Sequence, residues 1–196
     1  MTSGNEIEIR PVSPGRWDDL VELFGERGGY ANCWCMWWRV SSADFDRGIR
    51  NRGSGNRRAM RGIVADSRVP GLLAYRDGKP VGWVSVAPRE EFGRLQRSPK
   101  LKAVDDRPVW SIVCFVVDRR QRGTGVGTAL LEAAVRHAAE QGATIVEGYP
   151  VDPTDKPISN ADAFTGVVAM FRRAGFREVA RRGSRPIMRK KVPASR

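Results

Sequence analysis

One short segment, Arg122 to Gly127, restricts the possible folds of this chain more than any other. It alternates glycine with other residues, and it lies between an apolar run from Ile112 to Val117 and an alanine-rich stretch from Thr128 to Ala139. This order predicts a strand, a tight turn and the start of a helix. Glycines leave no Cβ in the way, so successive backbone N–H groups can converge on one anion at the helix N-terminus. The segment therefore predicts a site for a phosphorylated ligand.

Other phosphate-binding loops match this segment less well. A Walker A loop ends in Gly-Lys-Ser/Thr, whereas Gly127 is followed directly by Thr128. A dinucleotide-binding fold places its loop after the first strand, with an acidic residue roughly 20 positions further on. Here the loop lies past the middle of the chain, and Glu147 lies on a predicted strand of its own. A glycine turn without any ligand stays open as the structural alternative.

At this segment the sequence resembles the GNAT superfamily of acetyl-CoA-dependent N-acetyltransferases. The family signature Arg/Gln-x-x-Gly-x-Gly/Ala occurs in two overlapping registers, which begin at Arg120 and Arg122. The stretch from Met170 to Phe176 is similar to the family's Leu-Tyr-x-x-x-Gly-Phe helix end. The order and spacing of both motifs fit, and the resemblance covers about residues 6 to 192.

The resemblance implies one α/β (α+β) domain, residues 1–196, with a mixed and mainly antiparallel sheet flanked by helices on both faces. It implies acetyl-CoA as the acetyl donor. The pantetheine arm is expected to pair with the backbone of Phe115, Val116 and Val117. The pyrophosphate is expected on the amides of a loop that comprises Arg122, Gly123, Thr124, Gly125, Val126, Gly127 and Thr128.

Residue patterns along the chain agree with that architecture. Asp77-Gly78 between two apolar runs is the strongest hairpin signal, and the run from Val109 to Val117 is apolar on both faces, as a central strand should be. Helices are expected at 13–27, 56–64, 124–141 and 163–174. Further strands are expected at 6–12, 144–149, 176–180 and 186–191, with a loop at 150–157.

The catalytic residues depart from the family pattern. The tyrosine that usually protonates the leaving thiolate falls on Phe171, so we expect Tyr149 or a water molecule to replace it. Candidate bases are Asp118, Glu147 and Asp152, which lie near the predicted strand ends. Asp118 is equally explained as a turn residue, and Glu147 as the partner of an arginine.

The segment Cys33 to Arg39 holds three of the six tryptophans of the chain. We expect Trp34, Trp37 and Trp38 to line the acceptor pocket, with Arg39 facing an anionic group; core packing is the alternative for each tryptophan. Three cysteines, expected to be reduced, and one histidine predict neither a disulfide framework nor a metal site.

A net charge of +12 is concentrated in two basic zones. Residues 46–68 hold seven arginines and two aspartates, and residues 172–196 hold ten Arg or Lys and one Glu. Such zones can bind nucleic acid or the phosphates of coenzyme A, and the sequence shows no nucleic-acid-binding motif. No membrane span or signal peptide is evident, so we expect a cytoplasmic protein, monomeric or homodimeric.

These observations favour an N-acetyltransferase that transfers the acetyl group directly to an amine of a small molecule or a protein. Two alternatives remain open from the sequence. One is a CoA-binding or sensing module with weak catalysis, because Phe171 replaces the family tyrosine. The other is a nucleic-acid-associated basic protein.

Overall fold

Seven strands form a single mixed sheet in the computed structural model, which describes residues 6–153 and 163–193. The spatial order is β1-β2-β3-β4-β5-β7-β6. The strands are β1 Glu8–Pro11, β2 Gly71–Arg76, β3 Lys79–Pro88, β4 Trp110–Val117, β5 Ile145–Gly148, β6 Arg177–Arg181 and β7 Pro186–Lys191. Strands β4 and β5 are parallel, and the other neighbouring pairs of described strands are antiparallel. The expected mixed, mainly antiparallel sheet is confirmed.

Six α-helices accompany the sheet in the described residues: α1 Trp17–Phe24, α2 Ser42–Gly48, α3 Arg50–Ala65, α4 Gly93–Arg97, α5 Val126–Glu140 and α6 Val168–Arg173. None of these helices is both long and apolar enough to cross a lipid bilayer. The helix expected at 163–174 is interrupted at Gly166, which has φ +80° in the left-handed region. A Cβ at Gly166 would lie 2.8 Å from the ring of Phe171, so the interruption also permits close packing.

The two faces of the sheet are covered by different helices, as expected. In β2, Leu72 and Ala74 pack in the core beneath α5, whereas Leu73 and Tyr75 pack in the core that contains α1. This division follows from the period of two along a strand. The predicted hairpin is also confirmed, since Asp77 and Gly78 both have positive φ and join β2 to β3. The expected loop at 150–157 lies partly outside the described residues.

A bulge in β4 lies at the place where the sheet opens. Ser85 is paired with Cys114 and Val86 with Ile112, so Val113 is an extra residue on the β4 side. On the opposite edge, the pairs between β4 and β5 end at Ile112 and Gly148. Beyond that point, residues 113–117 of β4 have only β3 as a strand neighbour among the described residues. The C-terminal half of β4 thus borders a gap in the sheet.

Candidate functional site

A cleft of 370 Å³ runs along this gap toward the glycine segment. Residues of β4 form one wall, and residues around the start of α6 form the other. The lining consists of Gly29, Tyr30, Phe115, Val116, Val117, Gln121, Arg122, Gly123, Gly127, Ala163, Phe164, Gly166, Val167 and Met170. The cleft therefore joins an unpaired strand edge to the loop before α5.

The loop before α5 has the backbone geometry of an anion site. Gly123 and Gly125 have φ +77° and +90°, and a Cβ built on either would meet no atom within 4 Å. Gly125 is the N-cap of α5, and no side chain in the described part of the protein caps that helix. The first N–H groups of a helix have no partner within the helix, and they carry the positive end of its dipole. An anion above this loop would meet those amides directly.

Six of the ten expected cofactor residues line the cleft, and the other four do not. Phe115, Val116, Val117, Arg122, Gly123 and Gly127 line it. Val126 instead buries its side chain in the core, at 1% exposure, and can offer only its backbone. Gly125 is the helix cap, while Thr124 and Thr128 lie outside the lining.

Arg76 at the end of β2 holds the loop in place. Its guanidinium donates to Gln121 Oε1 at 2.5 Å, to Thr124 Oγ1 at 3.2 Å and to the carbonyl of Thr124 at 3.4 Å. Thr124 Oγ1 in turn donates to the carbonyl of Gln121 at 2.8 Å. The sequence gives no signal for these hydrogen bonds, because Arg76 is 45 positions before Gln121.

A second cavity, of 470 Å³, lies on the other side of the β4 residues. Its lining is largely aromatic and thiol-bearing: Gly28, Tyr30, Ala31, Cys33, Cys35, Trp37, Trp38, Phe45, Cys114, Phe115, Val116, Phe164 and Arg185. Tyr30, Phe115, Val116 and Phe164 line both spaces. The second cavity, called the aromatic cavity below, therefore adjoins the cleft.

Two of the four expected acceptor residues line the aromatic cavity. Trp37 is 37% exposed, and its ring lies between Phe45, at 5.0 Å edge to face, and the guanidinium of Arg94, at 3.6 Å. Trp38 is buried, and it lies 6.3 Å from the ring of Phe164. The indole of Trp37 thus forms a rim, and that of Trp38 an inner wall.

Trp34 and Arg39 lie elsewhere, which corrects the expectation for both. Trp34 is buried and stacks on Trp17 at 6.0 Å, so it belongs to the core. Arg39 donates to Glu91 at 2.6 Å and lies 4.6 Å above the ring of Phe92. Neither residue lines the cavity, because adjacent residues in this irregular segment point in different directions.

Glu147 and Tyr149 belong to a buried ionic network. Glu147 is fully buried and accepts from Arg89 at 3.0 Å and from Arg189 at 2.6 Å. The Tyr149 hydroxyl donates to Glu147 at 2.5 Å and accepts from Arg89 at 2.5 Å. Burial raises the pKa of Tyr149 well above its usual value, with a further contribution from the charge of Glu147. Neither residue lines the cleft or the aromatic cavity, and the contacts of both within this network favour the alternative of an arginine partner for Glu147.

Asp118 lies at the entrance to the loop and is exposed. Its carboxylate accepts from the amide of Arg120 at 2.7 Å and caps the turn Arg119–Gln121. This is the turn role that the sequence left open as an alternative. Asp118 is not among the residues that line either space.

Several lining residues were missed by sequence reasoning. Tyr30 follows two glycines in a loop and had no chemical motif around it, yet it lies where the cleft and the aromatic cavity meet. Phe45 and Arg185 come from distant parts of the chain and have only ordinary sequence neighbours. No sequence pattern identifies these residues, because only the fold brings them together.

All three cysteines converge on the aromatic cavity. Cys35 and Cys114 have their Sγ atoms 3.1 Å apart, and the indole of Trp83 donates to Cys35. The hydrogen bond with Cys35, followed by burial, raises the pKa of Cys114. Burial, with the nearby Cys35, raises the pKa of Cys33 to about 12. Cys33 and Cys114 are therefore neutral thiols at neutral pH and poor nucleophiles.

We expect Cys33 to make stability fall at alkaline pH. Its thiol ionises more easily in the unfolded chain than in the folded one, so the contribution is complete below about pH 9 and is lost as pH rises. At about pH 10.5 the loss is roughly 2 kcal/mol from this group. Urea unfolding of wild type and Cys33→Ala at neutral pH and at about pH 10.5 measures it. An equal pH-dependent loss in both proteins would contradict the assignment.

Comparison with known proteins agrees with this architecture. The family model described as "Acetyltransferase (GNAT) family" matches residues 34–157. A search among curated protein sequences gives no match.

Solved structures with the same fold are numerous, although their sequences are distant. An N-acetyltransferase, PaiA, from Thermoplasma acidophilum, solved with coenzyme A, is 18% identical with a TM-score of 0.53; the match covers 95% of this chain and 99% of that one. A GNAT acetyltransferase from Listeria monocytogenes is 12% identical with a TM-score of 0.59, and 98% of each chain is covered. With the family match over residues 34–157 and the same fold in these structures, the chain belongs to the GNAT acetyltransferase family.

Proposed function

We propose that this chain transfers the acetyl group of acetyl-CoA directly to an amine. The observation that carries the proposal is the gap beside β4; within the described residues it leads from a strand edge with no partner strand to the N-terminus of α5, which no side chain caps. The acceptor amine would enter from the aromatic cavity, which adjoins the cleft at Tyr30, Phe115, Val116 and Phe164. The cytoplasmic location and the single domain expected from the sequence belong to the same proposal.

The residues of the cleft fit acetyl-CoA, the acetyl donor of this family. Open space above Gly123 and Gly125 leaves the loop amides accessible to the pyrophosphate, and Arg122 adds a positive charge at the same place. The unpaired backbone edge of residues 113–117 can accept an extended, amide-bearing arm as an added strand. When bound, acetyl-CoA supplies a thioester whose carbonyl an amine can attack.

The reaction needs a proton for the sulfur that leaves as the new C–N bond forms and the C–S bond breaks. Phe171 cannot supply it, since it has no hydroxyl and is fully buried between Phe115 and Phe176. Tyr30 carries the one hydroxyl among the described residues that line the two spaces, and it lines both. We therefore assign to Tyr30 the role of proton donor to the thiolate, while the proton of the attacking amine passes to water.

Replacing Tyr30 by phenylalanine is expected to lower kcat by about 100-fold, at the low end of general acid catalysis, because a thiolate is a tolerable leaving group. Stability should not change, since the side chain is 64% exposed. Release of free CoA measured against amine concentration gives kcat and KM for both proteins. An unchanged kcat would remove Tyr30 from the mechanism.

Turnover separates this proposal from a CoA-binding or sensing module. Acetyl-CoA binding without consumption, tested with amines of several classes, would favour the sensing module. The nucleic-acid alternative has less support, because several arginines of the basic zones are used within the fold. Arg57 and Arg61 lie over Trp34 and Trp17, and Arg189 is paired with Glu147.

A further inference from the structure

The aromatic cavity also restricts the acceptor, on the assumption that the proposed acetyl transfer is correct. We propose that the acceptor is a monoamine attached to a flat apolar body, such as an arylalkylamine, and that polyamines and aminoglycosides are poor acceptors. The inference rests on three features of the cavity: its aromatic walls, the sign of the charges beside it, and its effect on an entering ammonium group.

The walls favour a flat apolar body. Six aromatic side chains line the cavity, namely Tyr30, Trp37, Trp38, Phe45, Phe115 and Phe164. Trp37 and Phe45 meet edge to face at the rim, and Trp38 and Phe164 are tilted toward each other further in. A ring placed among such surfaces gains both apolar burial and edge or face contacts.

The charges beside the cavity disfavour a polycation. Among the described lining residues none carries a carboxylate, and the one charged side chain is Arg185, which lies 5.6 Å over the ring of Phe164. At the rim, the guanidinium of Arg94 lies 3.6 Å from the centre of the Trp37 ring and donates to the Trp37 carbonyl. A second or third ammonium group inside the cavity would lose its water and find no carboxylate among the described lining residues, since the nearby Asp46 interacts with Arg94.

The same environment favours the neutral form of a single amine, which is the form that attacks the thioester. An alkylammonium ion has a pKa of ~10.4, so roughly one molecule in 2,500 is neutral at pH 7. Desolvation and nearby positive charge both disfavour the charged form and lower that pKa. The thiols of Cys33 and Cys114 on the lining have raised pKa values, so they stay neutral and do not reverse this effect. The amine can therefore lose its proton to water without a carboxylate base.

The test compares 2-phenylethylamine and tryptamine with spermidine and kanamycin. Binding to the protein saturated with CoA is measured by calorimetry, and turnover by release of free CoA from acetyl-CoA. The aromatic monoamines are expected to bind roughly 100-fold more tightly than spermidine, because one apolar ring is buried and no second charge is desolvated. Equal or tighter binding of spermidine or kanamycin, or no binding of either aromatic amine, overturns the inference.

A pair of variants at Phe45 tests the charge argument. Phe45 is half-buried at the rim of the cavity on α2, so the site can accept a polar side chain. Phe45→Glu is expected to improve spermidine binding about tenfold, because it adds the missing counter-charge. Phe45→Leu, which removes the ring without adding charge, should keep the wild-type order of amines. A gain for spermidine in Phe45→Leu, or no gain in Phe45→Glu, contradicts the charge argument.

The proposed acetyl transfer and the proposed acceptor class would be contradicted by different results. If CoA and acetyl-CoA bind but acetyl-CoA is not consumed with any amine, the proposed acetyl transfer is wrong, while the binding data still decide which amines the cavity accepts. If acetyl-CoA is consumed with spermidine or kanamycin in preference to the aromatic monoamines, acetyl transfer stands and the acceptor class is wrong.

Discussion

Acetyl-CoA at about a hundred times its dissociation constant is expected to raise the unfolding temperature by roughly 5 to 11 °C. Ligand linkage gives about 2.7 kcal/mol at that concentration, and a domain of this size gains about 2 to 4 °C per kcal/mol. The physical basis is the loop before α5, where positive φ at Gly123 and Gly125 leaves the amides uncovered. Differential scanning fluorimetry with and without acetyl-CoA measures the shift.

Two glycine variants show whether the loop before α5 is responsible for the rise in unfolding temperature with acetyl-CoA. Gly125→Leu covers the loop with a side chain, while Gly142→Leu places the same side chain beyond the other end of α5. Gly125 and Gly142 have φ +90° and +87°, and a Cβ at either would meet no atom within 4 Å. Each variant should therefore lose about 1 to 3 kcal/mol of stability through backbone strain. Gly125→Leu should also lose the acetyl-CoA shift, whereas Gly142→Leu should keep it. A shift retained in both would mean that the glycine segment is only a turn.

Glu147→Gln is expected to lower the free energy of unfolding by about 3 to 5 kcal/mol, the usual cost of breaking a buried ion pair. The change keeps the shape of the side chain but leaves Arg89 and Arg189 without their shared carboxylate. Both arginines are nearly buried, at 7% exposure each; Arg189 keeps Asp105 at 2.8 Å, whereas Arg89 loses its carboxylate partner where water cannot replace the charge. Urea unfolding at neutral pH measures the loss.

An exposed pair provides the control for this variant. Glu8→Gln removes the partner of Arg10 on β1, where both side chains are about half exposed, and should cost less than about 1 kcal/mol. The sequence suggested Glu147 as a catalytic base, and the variant also tests that idea. Loss of turnover at unchanged stability would favour catalysis, whereas the network predicts loss of stability.

Local features of the fold were predictable because they depend on neighbouring residues. The Asp77-Gly78 hairpin needs only two residues that accept positive φ. The alternation in β2 needs only a period of two. The glycine segment before α5 combines a strand, a turn and a helix start within a short stretch of chain. The position of the cofactor loop could therefore be proposed before the tertiary structure was known.

The side chains of the site were less predictable because their surroundings come from distant parts of the chain. Trp34 and Trp37 are three positions apart in the same aromatic segment, yet one lies in the core and the other at the cavity rim. The sequence predicts Glu147 as a carboxylate near a strand end. In the structure it is paired with both Arg89 and Arg189. Sequence patterns do not show which faces of irregular loops turn inward.

The sequence by itself determined the family, the glycine loop before α5 and the sheet-forming patterns, since these rest on backbone conformations that short segments specify. Only the tertiary structure decided where β4 leaves β5, which residues share the resulting gap, and that Tyr30 lies where the two spaces meet. The bulge at Val113 lies beside that gap, and the ring of Phe171 packs against Gly148 and Gly166. Both depend on contacts between separate elements, which form only when the whole sheet is assembled.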